Sequence, residues 1–412
     1  MAKENNLSYI IKVPLSKGQV LLDFYSGNII YLKNDSLFIN ENNSEVKEKL
    51  KGIEFLSSDT EKIEALKSRW HNIFKNRNDV FIYYYLTTSE KYLVENSYKF
   101  FKNLYGNLGD SNKINIGLII DEENQNLNIL NIEGIKNFVT ILRNKIENIS
   151  LIFVFTSINS LRNNSNVINY IVNDESFVKN LNLKLFIETI VSNSEEFYQL
   201  GELFQHSILG NSIPVSVLFC NDSVEEVKKL IDVVWRHQFF ALFKNIFLLP
   251  ASNNIHKIIF SCSYGIDLNY FNKMLTLILE NNSERIIKLF GSGVVESINK
   301  FLSTNMYFPP NLKKCGAYNT FLLINTKIYF CYYDYLNDSF IDLTNDNFEE
   351  LFKSKINFFK NIHLLYSNNY DENILTYGGV CPYMSLKLQK ENSLKLLQFF
   401  FDKYVCYERG ED

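Results

Sequence analysis

Between residues 79 and 249 the chain repeats one pattern: a short run of apolar residues, then a longer segment with helical spacing. The strand-like runs are 80–86, 114–120, 151–155, 183–190, 214–220 and 245–249. Helical patterns fall between them at 91–105, 132–145, 167–172 (a short one), 195–205 and 224–236. A strand that is apolar at nearly every position has both faces covered. Helices between successive strands supply the crossovers that parallel pairing needs. The pattern therefore predicts six parallel βα units, fewer than a closed eightfold barrel contains. A further short strand is expected at 258–260, and 267–302 reads as mostly helical.

The flanks read differently. Residues 9–13, 20–24 and 29–32 form strand-like runs, with turns at Ser16-Lys17-Gly18 and Ser26-Gly27-Asn28. Helical patterns follow at 44–51 and 59–74, the second opened by Asp59 or Thr60 as a cap with Glu61 and Glu64 in its first turn. Such a module either covers a neighbouring domain or reads a peptide by strand addition, which needs only an unpaired edge. Near the other end stand Cys315-Gly316-Ala317, an alternating run at 321–330, Cys331, and the turn Gly378-Gly379-Val380-Cys381-Pro382. This reads as a β-hairpin with a Cys at each foot and a third Cys on a Gly-rich turn, an arrangement suited to a metal or iron–sulfur centre. An apolar helix is expected at 392–407, ending near Cys406. The expected domains are 1–78, 79–302 and 303–412.

Composition excludes some partners. A net charge of −4 over 412 residues gives no basic field for nucleic acid. No apolar run approaches the ~20 residues that span a bilayer, and Met1-Ala2-Lys3-Glu4-Asn5-Asn6 has no signal-peptide core. A cytoplasmic protein is expected, with no membrane partner and six Cys as reduced thiols or metal ligands. The sequence carries no phosphate loop, dinucleotide fingerprint, His-Glu-x-x-His or Gly-x-Ser-x-Gly elbow.

The stretch from Cys315 to Cys381 resembles the SPASM/twitch extension of radical S-adenosylmethionine peptide-modifying enzymes. The resemblance implies an α/β chain: an N-terminal strand-and-helix module, a partial (βα)6 radical-SAM-like barrel and a degenerate SPASM-like C-terminal domain. It also implies missing chemistry. In that family the loop after the first barrel strand carries three cysteines that bind a [4Fe–4S] cluster; here it reads Leu86-Thr87-Thr88-Ser89-Glu90-Lys91-Tyr92-Leu93. Hydroxyl, ammonium and phenol groups do not replace three thiolates. The family's Gly-Gly-Glu-Pro turn is replaced by Asp121-Glu122-Glu123-Asn124, and 155–161 keeps only the outline of a strand-end turn. Reductive cleavage of S-adenosylmethionine is therefore not expected, and no cofactor is expected at the barrel. Cys315, Cys331 and Cys381 match three of the four ligands of the first auxiliary cluster, while 306–310 holds no Cys for the fourth. The resemblance leaves room there for one residual iron–sulfur cluster or zinc, with His363 as a conceivable fourth ligand. The plainer reading is a set of soft core thiols.

Two functional expectations follow from the resemblance. The first is a non-catalytic accessory or scaffold protein in maturation of a ribosomally synthesised, post-translationally modified peptide, with a precursor peptide, a partner radical SAM maturase or both as partners. A variant of it is a structural protein that only stabilises an active paralogue. The second is an enzyme that reuses the barrel mouth, where Asp121, Glu122 and Glu123 end a strand, for non-radical or metal-dependent chemistry. Cys220 and Cys262 are expected to be core thiols, and Arg69-Trp70-His71 and Trp235-Arg236-His237 packing clusters. Gly291 and Gly293 suggest a hinge or tight turn.

Overall fold

A computed structural model describes residues 10–15, 18–23, 29–33, 79–85, 100, 113–121, 136, 139–140, 142–143, 148–173, 183–205, 213–249, 251, 255–260, 277–278, 285–290, 320–367 and 398. The chain divides into two compact units, one of Met1–Asn76, Gly293–Leu312 and Asn361–Asp412, the other of Arg77–Ser292 and Lys313–Lys360. Residues 313–360, placed by the sequence within a third domain, thus belong with the central βα region.

In the first unit β1 (Ile10–Leu15), β2 (Gly18–Asp23) and β3 (Ile29–Lys33) form an antiparallel meander in that order. Val13 faces Val20 across the first pair and both are buried, which fixes the register by their apolar face. The three expected strands are present, shifted by no more than two residues at an end. The helices expected at 44–51 and 59–74 lie outside the described residues.

The second unit is built on a nine-stranded sheet. Six parallel strands stand side by side in chain order: β4 (Asp79–Tyr85), β5 (Lys113–Ile120), β6 (Asn148–Phe155), β7 (Lys184–Val191), β8 (Val215–Cys220) and β9 (Phe243–Leu249). Every position of β5 and β6 after the first is buried, as strands covered on both faces require. Beyond β4 the sheet continues with β10 (Thr320–Ile324), parallel to it, then β11 (Lys327–Tyr329) and β12 (Ile341–Asp342), both antiparallel to their neighbours. The expected hairpin is β10–β11. Thr320, Phe321, Leu322 and Leu323 are all buried because both faces of β10 are covered, Phe321 packing on Phe100 and Phe352 and Leu322 in the layer with Tyr83 and Tyr329.

The crossovers explain the two faces. α1 (Ile158–Asn173), α2 (Ser194–Gln205) and α3 (Val224–Arg236) each join neighbouring strands in the same direction along the sheet. Right-handed connection then places all three on one face, here called the back. Phe197 and Phe204 of α2 pack on the ring of Phe243 in β9, at 5.1 and 6.3 Å between centroids. Phe239, in a 3-10 turn after α3, lies on Gly201 so closely that a Cβ there would stand 2.1 Å from the ring. At the other end of the sheet, Phe100 and Phe321 meet Phe352 on the same face.

The front face carries a different cover. α4 (Ile255–Ile259), the residue after it, Phe260, and α5 (Tyr332–Leu336) pack against Tyr83, Ile119, Ile152, Val154, Leu322 and Tyr329. The strand expected at 258–260 is therefore a correction: this apolar run belongs to a short helix and the turn that ends it. As a helix the run buries Ile255, Ile259 and Phe260 against the sheet. α1 also starts well before the expected 167, at Ile158. A final helix, α6 (Phe348–Ser367), buries Phe348, Phe352, Ile356 and Phe359. It is tied to α5 by Lys355, whose Nζ lies 3.0 Å from a carboxylate oxygen of the buried Asp334.

Candidate functional site

In sheets wound this way, ligands gather where the strands end at their C-termini, and the connections there set what chemistry is possible. At β6, β7 and β8 these connections are short: 156–157, 192–193 and 221–223. Each is consumed by hydrogen bonds. Thr156 N–H and Ser160 Oγ both donate to the Ile120 carbonyl, at 3.1 and 3.3 Å. Asn193 Oδ1 accepts from Glu196 N–H, while the Glu196 carboxylate accepts from Ser192 N–H and Oγ, a reciprocal cap at the start of α2. Ser223 Oγ caps α3 by accepting from Glu226 N–H at 3.3 Å. The Glu226 carboxylate accepts from Ser194 N–H and Oγ, joining the two helix starts. Hydrogen bonding by Lys229, then by Ser194, holds Glu226 down at about 2. Asn221 Nδ2 donates to the Ser192 carbonyl and Asp222 Oδ1 accepts from Ala251 N–H. These three links are thereby committed to helix starts and to one another.

The expected barrel-mouth residues divide. Asp121 follows β5 directly and is partly buried. Tyr85, at the end of β4, is raised well above a normal phenol by burial first and the Asp121 charge second. Glu122 and Glu123 lie outside the described residues. Sequence reasoning missed the residue between these elements, His256 of α4. Its imidazole is stacked between Tyr335 at 4.0 Å and Tyr85 at 5.4 Å, and burial pulls its pKa from 6.5 to about 4. A neutral ring clamped between two phenols packs α4 onto the end of β4. The aromatic layer continues through Tyr329 to Phe340, with Lys327 Nζ 3.9 Å above the Phe340 ring and Tyr329 OH donating to Asp338 at 2.9 Å.

Of the three cysteines expected as ligands, Cys315 and Cys381 lie outside the described residues, as do Cys262, Cys406 and the side chain of His363. Cys331 is buried at the start of α5, where its Sγ accepts a 3.3 Å hydrogen bond from Asp334 N–H, the position of a helix N-cap. Among the described residues no three His, Cys, Asp or Glu side chains group as a metal site. Cys220 is buried at the end of β8, and its thiol is pushed up to about 12 by burial and then by Asp222. It is an unreactive core thiol at neutral pH. No helix among the described residues is long and apolar enough to cross a membrane. No protein-family model matches the chain, and no curated protein matches it in sequence.

Register reveals one more feature, invisible from any single strand. Tyr85, Ile119, Val154, Glu188, Ser216 and Asn245 form one row across the front face, each paired with the next. The first three are packed in the layer that α4 and α5 cover. The last three are polar, half-buried and without a hydrogen bond or ion pair from their side chains to any described residue. Between β8 and β9 a bulge sets Lys244 and Asn245 against Ser216 alone. It brings Lys244 Nζ to 5.1 Å from the ring centroid of Phe186, a front-face residue of β7.

Proposed function

We propose that the second unit is a half-open (βα)6 barrel of the radical SAM type whose front face is the barrel interior. On this reading the protein is a non-catalytic accessory of peptide maturation. The observation that carries it is α4: Ile255, Ile259 and Phe260 occupy the front face over β4, β5 and β6, with His256 stacked on Tyr85. In an active member the first of these strands would present the cluster loop. The unreversed strand order and the short, bonded rim at β6–β8 support the same reading. So does the sequence 87–93, which has no thiol. The three-stranded meander of the first unit would then supply strand edges to an extended peptide.

The role is binding: the protein holds a precursor peptide, a partner maturase or both. Cys331 fits this as a capping residue, and no step of the role passes through a metal. The test is co-expression of the tagged protein with a radical SAM maturase and a precursor peptide from the same genome. The expected result is co-purification of at least one of them in stoichiometric amount. Purification alone, or turnover of S-adenosylmethionine by the isolated protein, would overturn the reading.

A further inference from the structure

We propose that the polar half of the front face is a binding site for a free α-amino acid with an apolar side chain, made by Glu188, Ser216, Asn245 and Lys244. The site stands apart from the scaffold role and does not depend on it. Four observations converge on it. Glu188, Ser216 and Asn245 belong to adjacent strands and one register row, so their side chains rise from the same face about 5 Å apart. All three are half-buried, in contrast to the apolar residues that complete the row on β4–β6. None of their side chains makes a hydrogen bond or ion pair with a described residue, and none of their polar atoms is among the fully buried unpaired ones, so they remain accessible to a ligand. The β9 bulge adds a cation on the same face, Lys244, which rests on the Phe186 ring instead of pairing with Glu188.

A carboxylate and an ammonium on one face, two strands apart and not paired with each other, are complementary to a ligand that carries both charges. The α-ammonium of the ligand is held by Glu188, with the Ser216 hydroxyl accepting a second N–H. Its carboxylate is held by Lys244 and by the Asn245 amide as donor. Charge-assisted hydrogen bonds of this kind are the stronger class and fix orientation as well as affinity. The flanking front-face residues, Phe186, Ile190 and Phe247, are partly buried hydrophobics, so the side chain accommodated is apolar. The Glu188 charge is already felt across this face, since Tyr83 is raised by burial first and by Glu188 second. A bound ammonium would neutralise that carboxylate.

The test is calorimetric titration of the full-length protein with L-leucine and L-phenylalanine into the low-millimolar range. N-acetyl-L-leucine, which lacks the ammonium, and L-leucinamide, which lacks the carboxylate, are titrated alongside. Saturable binding of at least one free amino acid is expected, weakened about tenfold or more by blocking either end. Glu188→Gln should bring L-leucine down to the affinity of its N-acetyl derivative, and Lys244→Met to that of the amide. The exposed Lys228→Met on α3 should leave binding unchanged. No saturable binding of either amino acid, or equal binding of the blocked analogues, overturns the proposal. The analogue comparison uses the unmodified protein, so it decides the matter even if a variant misfolds.

Discussion

One register row crosses the front face of the sheet, and its two halves have opposite characters. Over β4, β5 and β6 the row is Tyr85, Ile119 and Val154, sealed by α4 and α5; over β7, β8 and β9 it is Glu188, Ser216 and Asn245, half-buried. The backbone is the same parallel ladder throughout. The difference comes from what lies above it: apolar side chains under a helix add stability, while polar ones without partners among the described residues add none. The covered half is therefore read as structure and the open half as a surface kept for binding.

The comparison is broken most strongly by removing the seal. Phe260→Ala deletes a side chain that is 2% exposed and should cost about 3–5 kcal/mol, measured by chemical denaturation. An effect below about 1 kcal/mol would show that α4 is not packed on the sheet. Gly117→Ala comes next. An added Cβ would stand 2.1 Å from the Tyr83 ring, which lies across the glycine, and overpacking of this kind costs about 1–3 kcal/mol. Combining it with Tyr83→Ala should recover part of that loss.

A pH series sharpens the same point. His256 has its pKa depressed from 6.5 to about 4. The unfolded chain therefore binds the proton more readily between those values, and folding favours the neutral ring. The associated stability is complete above pH 6.5 and is lost as pH falls toward 4. About 2 kcal/mol is expected after allowing for the ring's partial exposure. Thermal unfolding at pH 7 and pH 4.5 should show the loss, and His256→Phe should flatten it. The smallest effects belong to the open half: Ser216→Ala and Asn245→Ala should each change stability by no more than about 0.5 kcal/mol. A large loss there would mean the row is structural after all.

The sequence made the strands legible because buried parallel strands are apolar at nearly every position, and the six runs map onto β4–β9. It was less informative for the helices. α1 carries Asn159, Asn163, Asn164, Asn166 and Asn169, which thin out the apolar stripe, so only its second half looked helical. In α4 the run Ile258-Ile259-Phe260 is too short to tell helix from strand by periodicity. The cover that α4 lays over the front face was therefore missed. The polar row could not have been found. Glu188, Ser216 and Asn245 are far apart in sequence, and only strand register places them side by side. Lys244 joins them through a bulge that no local signal announces.

The two- and three-residue links at 156–157, 192–193 and 221–223 also bear on kinetics. With their backbone and side-chain groups committed to neighbouring helix starts, they have neither the length nor the slack to fold over an occupant. Exchange at the front face should then proceed without a gating step on this side, so residence time would be set by the strength of the contacts alone.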